Sequence, residues 1–240
     1  MKKLLLFASA LLAVNLFAGE ENAPLPADDY TTFGLGFFMD QPSSMVNSNV
    51  YGLKAGFPIC NGRGRVYGLE ASWLYSGTAY IKGIQASWVL NRCKTIDGLQ
   101  ASWIGNINDE WFKGIQAALA FDVAGNMTGL QAGSVVVADD YLGLQAGVFA
   151  SVSKRFDGFQ TSVVTSYADE VNGIQFTGLV NAADDVTGIQ VAGYNSARNV
   201  NGLQFGIINV ANDKQSFQLG LINIIKGGPI PFMPLINFNW

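Results

Sequence analysis

Residues 186–194 read Val186-Thr187-Gly188-Ile189-Gln190-Val191-Ala192-Gly193-Tyr194, and their alternation decides the fold. One face carries Val186, Gly188, Gln190, Ala192 and Tyr194; the other carries Thr187, Ile189, Val191 and Gly193. A period of two over about 8–10 residues reads as a strand with one small face bearing a glutamine and one apolar face. The same split recurs upstream, with Phe156, Gly158, Gln160, Ser162 and Val164 set against Asp157, Phe159, Thr161 and Val163.

Working outward, the Gly-Leu/Ile-Gln signature repeats along the chain. Units centre on Lys54, Glu70, Gln85, Gln100, Gln116, Gln131, Gln145, Gln160, Gln175, Gln190, Gln204 and Gln218. After Glu70 the centres stand 14 to 16 residues apart. The units from Gln85 to Gln204 all keep Gly two places before Gln, whereas the Gln218 unit keeps Phe217-Gln218 without that Gly. Between these strands the sequence offers turn formers: Asn106-Ile107-Asn108-Asp109, Ala124-Gly125-Asn126, Asp139-Asp140, Ala183-Asp184-Asp185 and Ala211-Asn212-Asp213.

Two all-β folds use such a string. In a tandem-repeat β-solenoid each unit of about 15 residues is one coil, stacked in register about 4.8 Å from the next. In an antiparallel outer-membrane β-barrel of about 12 strands each unit is a strand plus a turn. A barrel alternates short and long turns, and the spacings show no two-unit alternation. Trp73, Trp88 and Trp103 share one repeat position, and the ten glutamines form a buried amide ladder if coils are parallel. The solenoid is therefore favoured. For the barrel speaks the C-terminus, where Ile236, Phe238 and Trp240 alternate up to a final aromatic.

The chain opens with Lys2 and Lys3, an apolar run from Leu4 to Phe17, and Ala18-Gly19 as a small-residue cleavage site, which together read as a secretion signal over residues 1–18. Residues 19–49 follow as an N-terminal segment with a first strand, residues 50–225 as the repeat array, and 226–240 as a Pro-rich cap or terminal strand. Without Lys2 and Lys3 the chain holds 12 basic and 18 acidic residues, a net charge of −6. An acidic chain with no basic patch is unsuited to nucleic acid. Cys60 and Cys93 would meet an oxidising compartment after export. A disulfide and two packed thiols both remain open, because positions two strands apart lie roughly 9–10 Å from one another.

Units such as VTGIQVAGYN, VNGLQFGIIN and FQLGLIN, followed by a Pro-rich apolar tail, resemble bacterial tandem surface-repeat proteins, a largely uncharacterised envelope family. The resemblance covers roughly residues 50–240. It implies export to the outer membrane or cell surface of a Gram-negative-type bacterium, with the periplasm as the alternative, and no particular activity. The early units depart from the pattern, with Lys54 and Glu70 in place of Gln.

Chemistry is sparse. The chain has no His, which removes the commonest general base and most zinc sites. No nucleotide-binding loop is present, since Gly62-Arg63-Gly64 matches none. The expectation is a non-enzyme with no cofactor, acting as a structural or adhesion-type module toward an unidentified envelope or extracellular partner. An outer-membrane pore or anchor and a carbohydrate-binding module are the rival readings. Three residue sets are candidates for a role. The first is the structural ladder of Gln85, Gln100, Gln116, Gln131, Gln145, Gln160, Gln175, Gln190, Gln204 and Gln218. The second is an aromatic platform of Trp73, Trp88 and Trp103. The third is the acidic pairs Asp109-Glu110, Asp139-Asp140, Asp169-Glu170 and Asp184-Asp185, which would share Ca²⁺ if coils brought them to one edge.

Overall fold

A computed structural model of the chain describes residues 30–37, 43–213 and 215–239. The expected secretion signal and Trp240 lie outside the described residues. Strands follow one another from β1 (Tyr30–Gly36) through one helical turn, α1 (Ser43–Val46), to β2 (Asn49–Gly56), β3 (Ile59–Ser72), β4 (Tyr75–Ser87) and β5 (Leu90–Ser102). Then come β6 (Gly105–Ala118), β7 (Phe121–Ser162), β8 (Thr165–Thr177), β9 (Val180–Asp213), β10 (Ser216–Ile225) and β11 (Phe232–Asn239). The 42 residues of β7 wind through successive units without a break.

The strands lie in sequence order within one sheet. Each unit pairs with the next in parallel and in register, so that Gly68, Gly83, Gly98, Gly114 and Gly129 align, as do Glu70, Gln85, Gln100, Gln116 and Gln131. Parallel neighbours with no crossover helix can be joined only by coiling, and the chain is a β-solenoid of about 12 coils. The antiparallel barrel is thereby overturned: an antiparallel neighbour would reverse the unit and take each Gln away from its equivalent. Among the described strands only β11 runs antiparallel, laid along β10 with Phe217 opposite Phe238 and Leu219 opposite Ile236. It covers the hydrogen-bonding edge that the last coil would otherwise leave open.

Eleven glycines two places before the column centre, from Gly52 to Gly202, hold φ between +128° and +152°. Each lies on its predecessor. A methyl group on Gly158 would stand 2.2 Å from the carbonyl oxygen of Gly143, so both φ and stacking require glycine here.

The core follows from the same register. Val66, Ile81, Ile96, Phe112, Met127, Tyr141, Phe156, Val171, Val186 and Val200 stack inside the coil, and small residues such as Ala124, Ala138, Ala168, Ala183 and Ala197 complete the same buried cluster. Side chains fill the interior, which is a packed core rather than a channel.

The corners correct one sequence expectation. Asn106, Ile107 and Asn108 do not form a turn but lie buried within β6, and Ala124-Gly125-Asn126 runs inside β7. The strand breaks fall instead at Trp73-Leu74, Trp88-Val89, Trp103-Ile104 and Leu119-Ala120. There the backbone is held by the coil before it: Trp88 N–H donates to Trp73 O at 3.1 Å and Trp103 N–H to Trp88 O at 3.2 Å. A stacked corner needs no special turn residue, because each copy takes its hydrogen bonds from the one below.

Candidate functional site

The ten glutamines are fully buried and form a continuous ladder. In each rung Nε2 donates to Oε1 of the preceding coil: Gln100 to Gln85 at 2.7 Å, Gln116 to Gln100 at 2.9 Å, and so on to Gln218 on Gln204 at 2.7 Å. Most rungs also cross the coil. Gln116 Nε2 reaches Val123 O at 3.2 Å, Gln131 Nε2 reaches Val137 O at 3.1 Å, and Gln145 Nε2 reaches Val152 O at 3.3 Å. Both amide hydrogens are thus used, one along the array and one across it, so the ladder ties opposite walls together.

The ladder begins at charged residues. Gln85 Nε2 donates to Glu70 Oε1 at 3.3 Å, and Lys54 stands in register with Glu70 one coil earlier. Both are buried; Lys54 Nζ donates to Thr78 Oγ1 at 2.7 Å and Asn61 O at 2.8 Å. Glu70 Oε2 and Gln218 Oε1, near the two ends, have no hydrogen-bond partner.

A second buried column, unforeseen from sequence, stands on the opposite wall. Cys60, Ser76, Asn91, Asn106 and Asp122 align in register, as do Ser151, Ser166 and Asn181, then Asn209 and Asn223. Here Nδ2 donates toward the following coil: Asn91 to Asn106 at 2.8 Å, Asn181 to Asn195 at 3.0 Å, Asn195 to Asn209 at 2.8 Å and Asn209 to Asn223 at 2.8 Å. Each Asn also reaches a carbonyl on the first wall, as Asn106 does Ala117 O at 2.7 Å. The available signal was an amide, hydroxyl or carboxyl five or six residues after every ladder Gln except Gln131, where Val136 stands.

Asp122 interrupts this column where the following unit supplies the fully buried Val136. Its Oδ1 accepts from Asn106 Nδ2 at 2.7 Å and its Oδ2 from Ala118 N–H at 3.0 Å. An acceptor-only group suits a place with donors on two sides and an aliphatic beyond. Burial pushes its carboxyl up to about 7, against the pull of those two hydrogen bonds.

Cys60 and Cys93 are free and buried, one in the asparagine column and one near Gln100 Nε2 at 3.4 Å. Burial raises both thiols, Cys93 to about 12, which keeps them protonated and unreactive.

Outside, the chain is divided by polarity. Along one corner the acidic pairs meet cations from neighbouring coils: Arg92 Nε to Asp109 Oδ2 at 3.0 Å, Lys154 to Asp139 at 2.7 Å, Arg155 Nε to Asp140 Oδ1 at 2.6 Å and Arg198 to Asp184 at 3.1 Å. Asp185 accepts from Asn199 Nδ2 at 2.7 Å. The carboxylates that were to share a cation are thus interleaved with Lys and Arg, and among the described residues no cluster of metal-ligating side chains forms. An open groove of about 530 Å³ runs along this corner, lined by Asp140, Arg155, Asp157 and Glu170 among others.

The other flank is uncharged from the residue before each Gln onward, and the exposed column at its border holds Lys82, Asp97, Lys113 and Asp157. Its outer columns flank each Gln: Ile84, Ala86 and Trp88; Leu99, Ala101 and Trp103; Ile115, Ala117 and Leu119. Farther along stand Ile174, Phe176 and Gly178; Ile189, Val191 and Gly193; Leu203, Phe205 and Ile207. The three tryptophans sit at the corner of this flank, each more than half exposed. Trp88 and Trp103 stack at 5.5 Å with planes 3° apart, and Trp73 stacks on Phe57 at 5.2 Å. Their ring faces are turned to neighbours rather than outward. Compared with protein-family models, with curated proteins and with solved structures, the chain matches none.

Proposed function

We propose that this chain is a non-catalytic structural or adhesion-type surface-repeat protein, exported to the envelope of a Gram-negative-type bacterium. The reading rests on where the repeated residues go. The recurring Gly, Gln and Asn are consumed in holding coils together, and what the coils present outward is an apolar flank, bordered by a column that includes Lys82, Asp97 and Lys113, and a charge-paired edge. An apolar strip of this length is a contact surface rather than a reaction site. Asp122, Cys60 and Cys93, whose proton affinities are shifted by burial, are sealed inside. The rival readings have less support. A pore needs an open lumen, and this interior is packed. A sugar platform needs free ring faces, and the stacked indoles offer mainly edges.

The test is fractionation of cells producing the full chain, with N-terminal analysis of the mature protein and labelling of intact cells. Cleavage near Ala18-Gly19, access to the label and release by carbonate are expected. An uncleaved protein retained in the cytoplasm overturns the reading.

A further inference from the structure

We infer that the uncharged flank is a self-complementary interface, closed by a second copy of this chain lying antiparallel along it. The flank repeats at about 4.8 Å per coil, so about 12 coils give a strip roughly 58 Å long. The outward residues on either side of each Gln span roughly 13 Å more. Such a strip buries on the order of 1,500–2,000 Å² between two copies, the size of a stable protein–protein interface.

The sequence of side-chain sizes identifies the occupant. The middle column is small in the early coils, with Ala71, Ala86 and Ala101, and large in the late ones, with Phe176, Val191 and Phe205. The corner column places Trp88 and Trp103 in early coils against Gly178 and Gly193 in late ones, with large apolar residues, Phe57, Trp73, Ile207 and Leu221, at its two ends. A two-fold axis along the strand direction keeps each column facing itself while reversing coil order. In the register that overlaps every coil, Ala101 faces the second copy's Phe176, Ala86 its Val191 and Ala71 its Phe205. The same operation sets Trp103 on Gly178 and Trp88 on Gly193. Each pair occurs twice, as an isologous interface requires. At the axis Ala132 meets Ala146, and small residues belong there because two twisted faces approach most closely where they cross. Phe176 is 48% exposed, Trp88 58% and Trp103 57%, so all have area to lose.

A lipid surface would take the same apolar flank, yet gains nothing from pairing large residues with small ones. Anionic lipid also attracts Lys and Arg beside the contact, but Lys82 and Lys113, which border this flank, alternate in register with Asp97, in a chain of net charge −4. The inference does not depend on the compartment in which the chain works.

Sedimentation equilibrium on the full chain, with circular dichroism to verify folding, tests it. A dimer is expected. Ala101→Phe sets two Phe side chains against each other twice per dimer and should weaken association at least about 30-fold. Phe176→Ala leaves an unfilled gap and should also weaken it. The combined Ala101→Phe/Phe176→Ala variant exchanges the partners and should restore most of the loss. Three results overturn the inference: a monomer at all concentrations, a dimer indifferent to both single variants, or a double variant as weak as the sum of the singles. Binding of monomers to neutral or anionic phosphatidylcholine/phosphatidylglycerol vesicles with no dimer overturns it in favour of lipid.

Discussion

Replacing Gln145 with Leu probes the ladder at its centre. Gln145 Nε2 donates to Gln131 Oε1 at 2.9 Å and Val152 O at 3.3 Å, and its Oε1 accepts from Gln160 Nε2 at 2.7 Å. Leucine has nearly the same volume, so packing changes little. Gln131 Oε1, however, has no other donor among the hydrogen bonds described, while Gln160 Nε2 keeps Ser153 Oγ at 3.1 Å and Tyr167 O at 3.4 Å. One buried acceptor is stranded, and the loss should be about 1–3 kcal/mol. Gln131→Leu strands Gln116 Oε1 in the same way, since Gln131 is its donor. The double variant strands only Gln116 Oε1, because the second orphan has been removed with Gln131. Its destabilisation should therefore equal roughly one single variant, a coupling of about 1–3 kcal/mol. Urea unfolding followed by circular dichroism measures all three against the parent. Strict additivity, or no change in midpoint for either single variant, refutes the ladder as a stabilising chain.

Other perturbations reach different parts of the array. The Asp122 carboxyl, ordinarily near 3.8, is raised to about 7 in the folded chain, so between those values the folded state holds a proton that the unfolded state has lost. Stability should fall as pH rises through that window and level off above it, and Asp122→Asn should flatten the slope in thermal melts across pH 4–7. Gly158→Ala, at φ +132° and 2.2 Å from Gly143 O, should cost at least about 2–3 kcal/mol in urea unfolding. Gly193→Ala, whose new methyl would stand 3.3 Å from Leu179 O, should cost much less, and equal losses would discredit the stacked-glycine argument. Deleting Val171 to Asp185 removes one unit and brings Val186 under Phe156; a folded β-protein shorter by about 4.8 Å is expected, with unfolding or aggregation the contrary result.

How much of this was legible beforehand depended on which residues repeat by identity. The Gly-x-Gln pair recurs almost unchanged because φ, stacking and the amide ladder each tolerate one residue type, and it carried the fold and the Gln candidates. The opposite wall was hidden because its column mixes Cys60, Ser76, Asn91, Asp122 and Ser151 in one role. Asn106 and Asn108 looked like turn residues, since the side chain that bonds its own backbone in a turn serves equally to bond a neighbouring coil. The true corners escaped for the converse reason. Trp88-Val89 and Trp103-Ile104 have strand-forming side chains and turn only because the coil beneath supplies their carbonyls.

The order of donors and acceptors inside the array has an electrical consequence. Every glutamine amide of the ladder points its N–H toward the N-terminal coils, so their dipoles add head to tail, much as peptide units do in an α-helix. The N-terminal end of that line is its positive pole, and there stands Glu70, a negative charge placed as an acidic residue is at a helix N-terminus. The asparagine column points its donors the other way and opposes the field. Lys54 then offsets the charge of Glu70 one coil earlier. The two units that break the glutamine rule thus terminate a polarised column, and the direction in which the coils are stacked is written into their interior as well as their backbone.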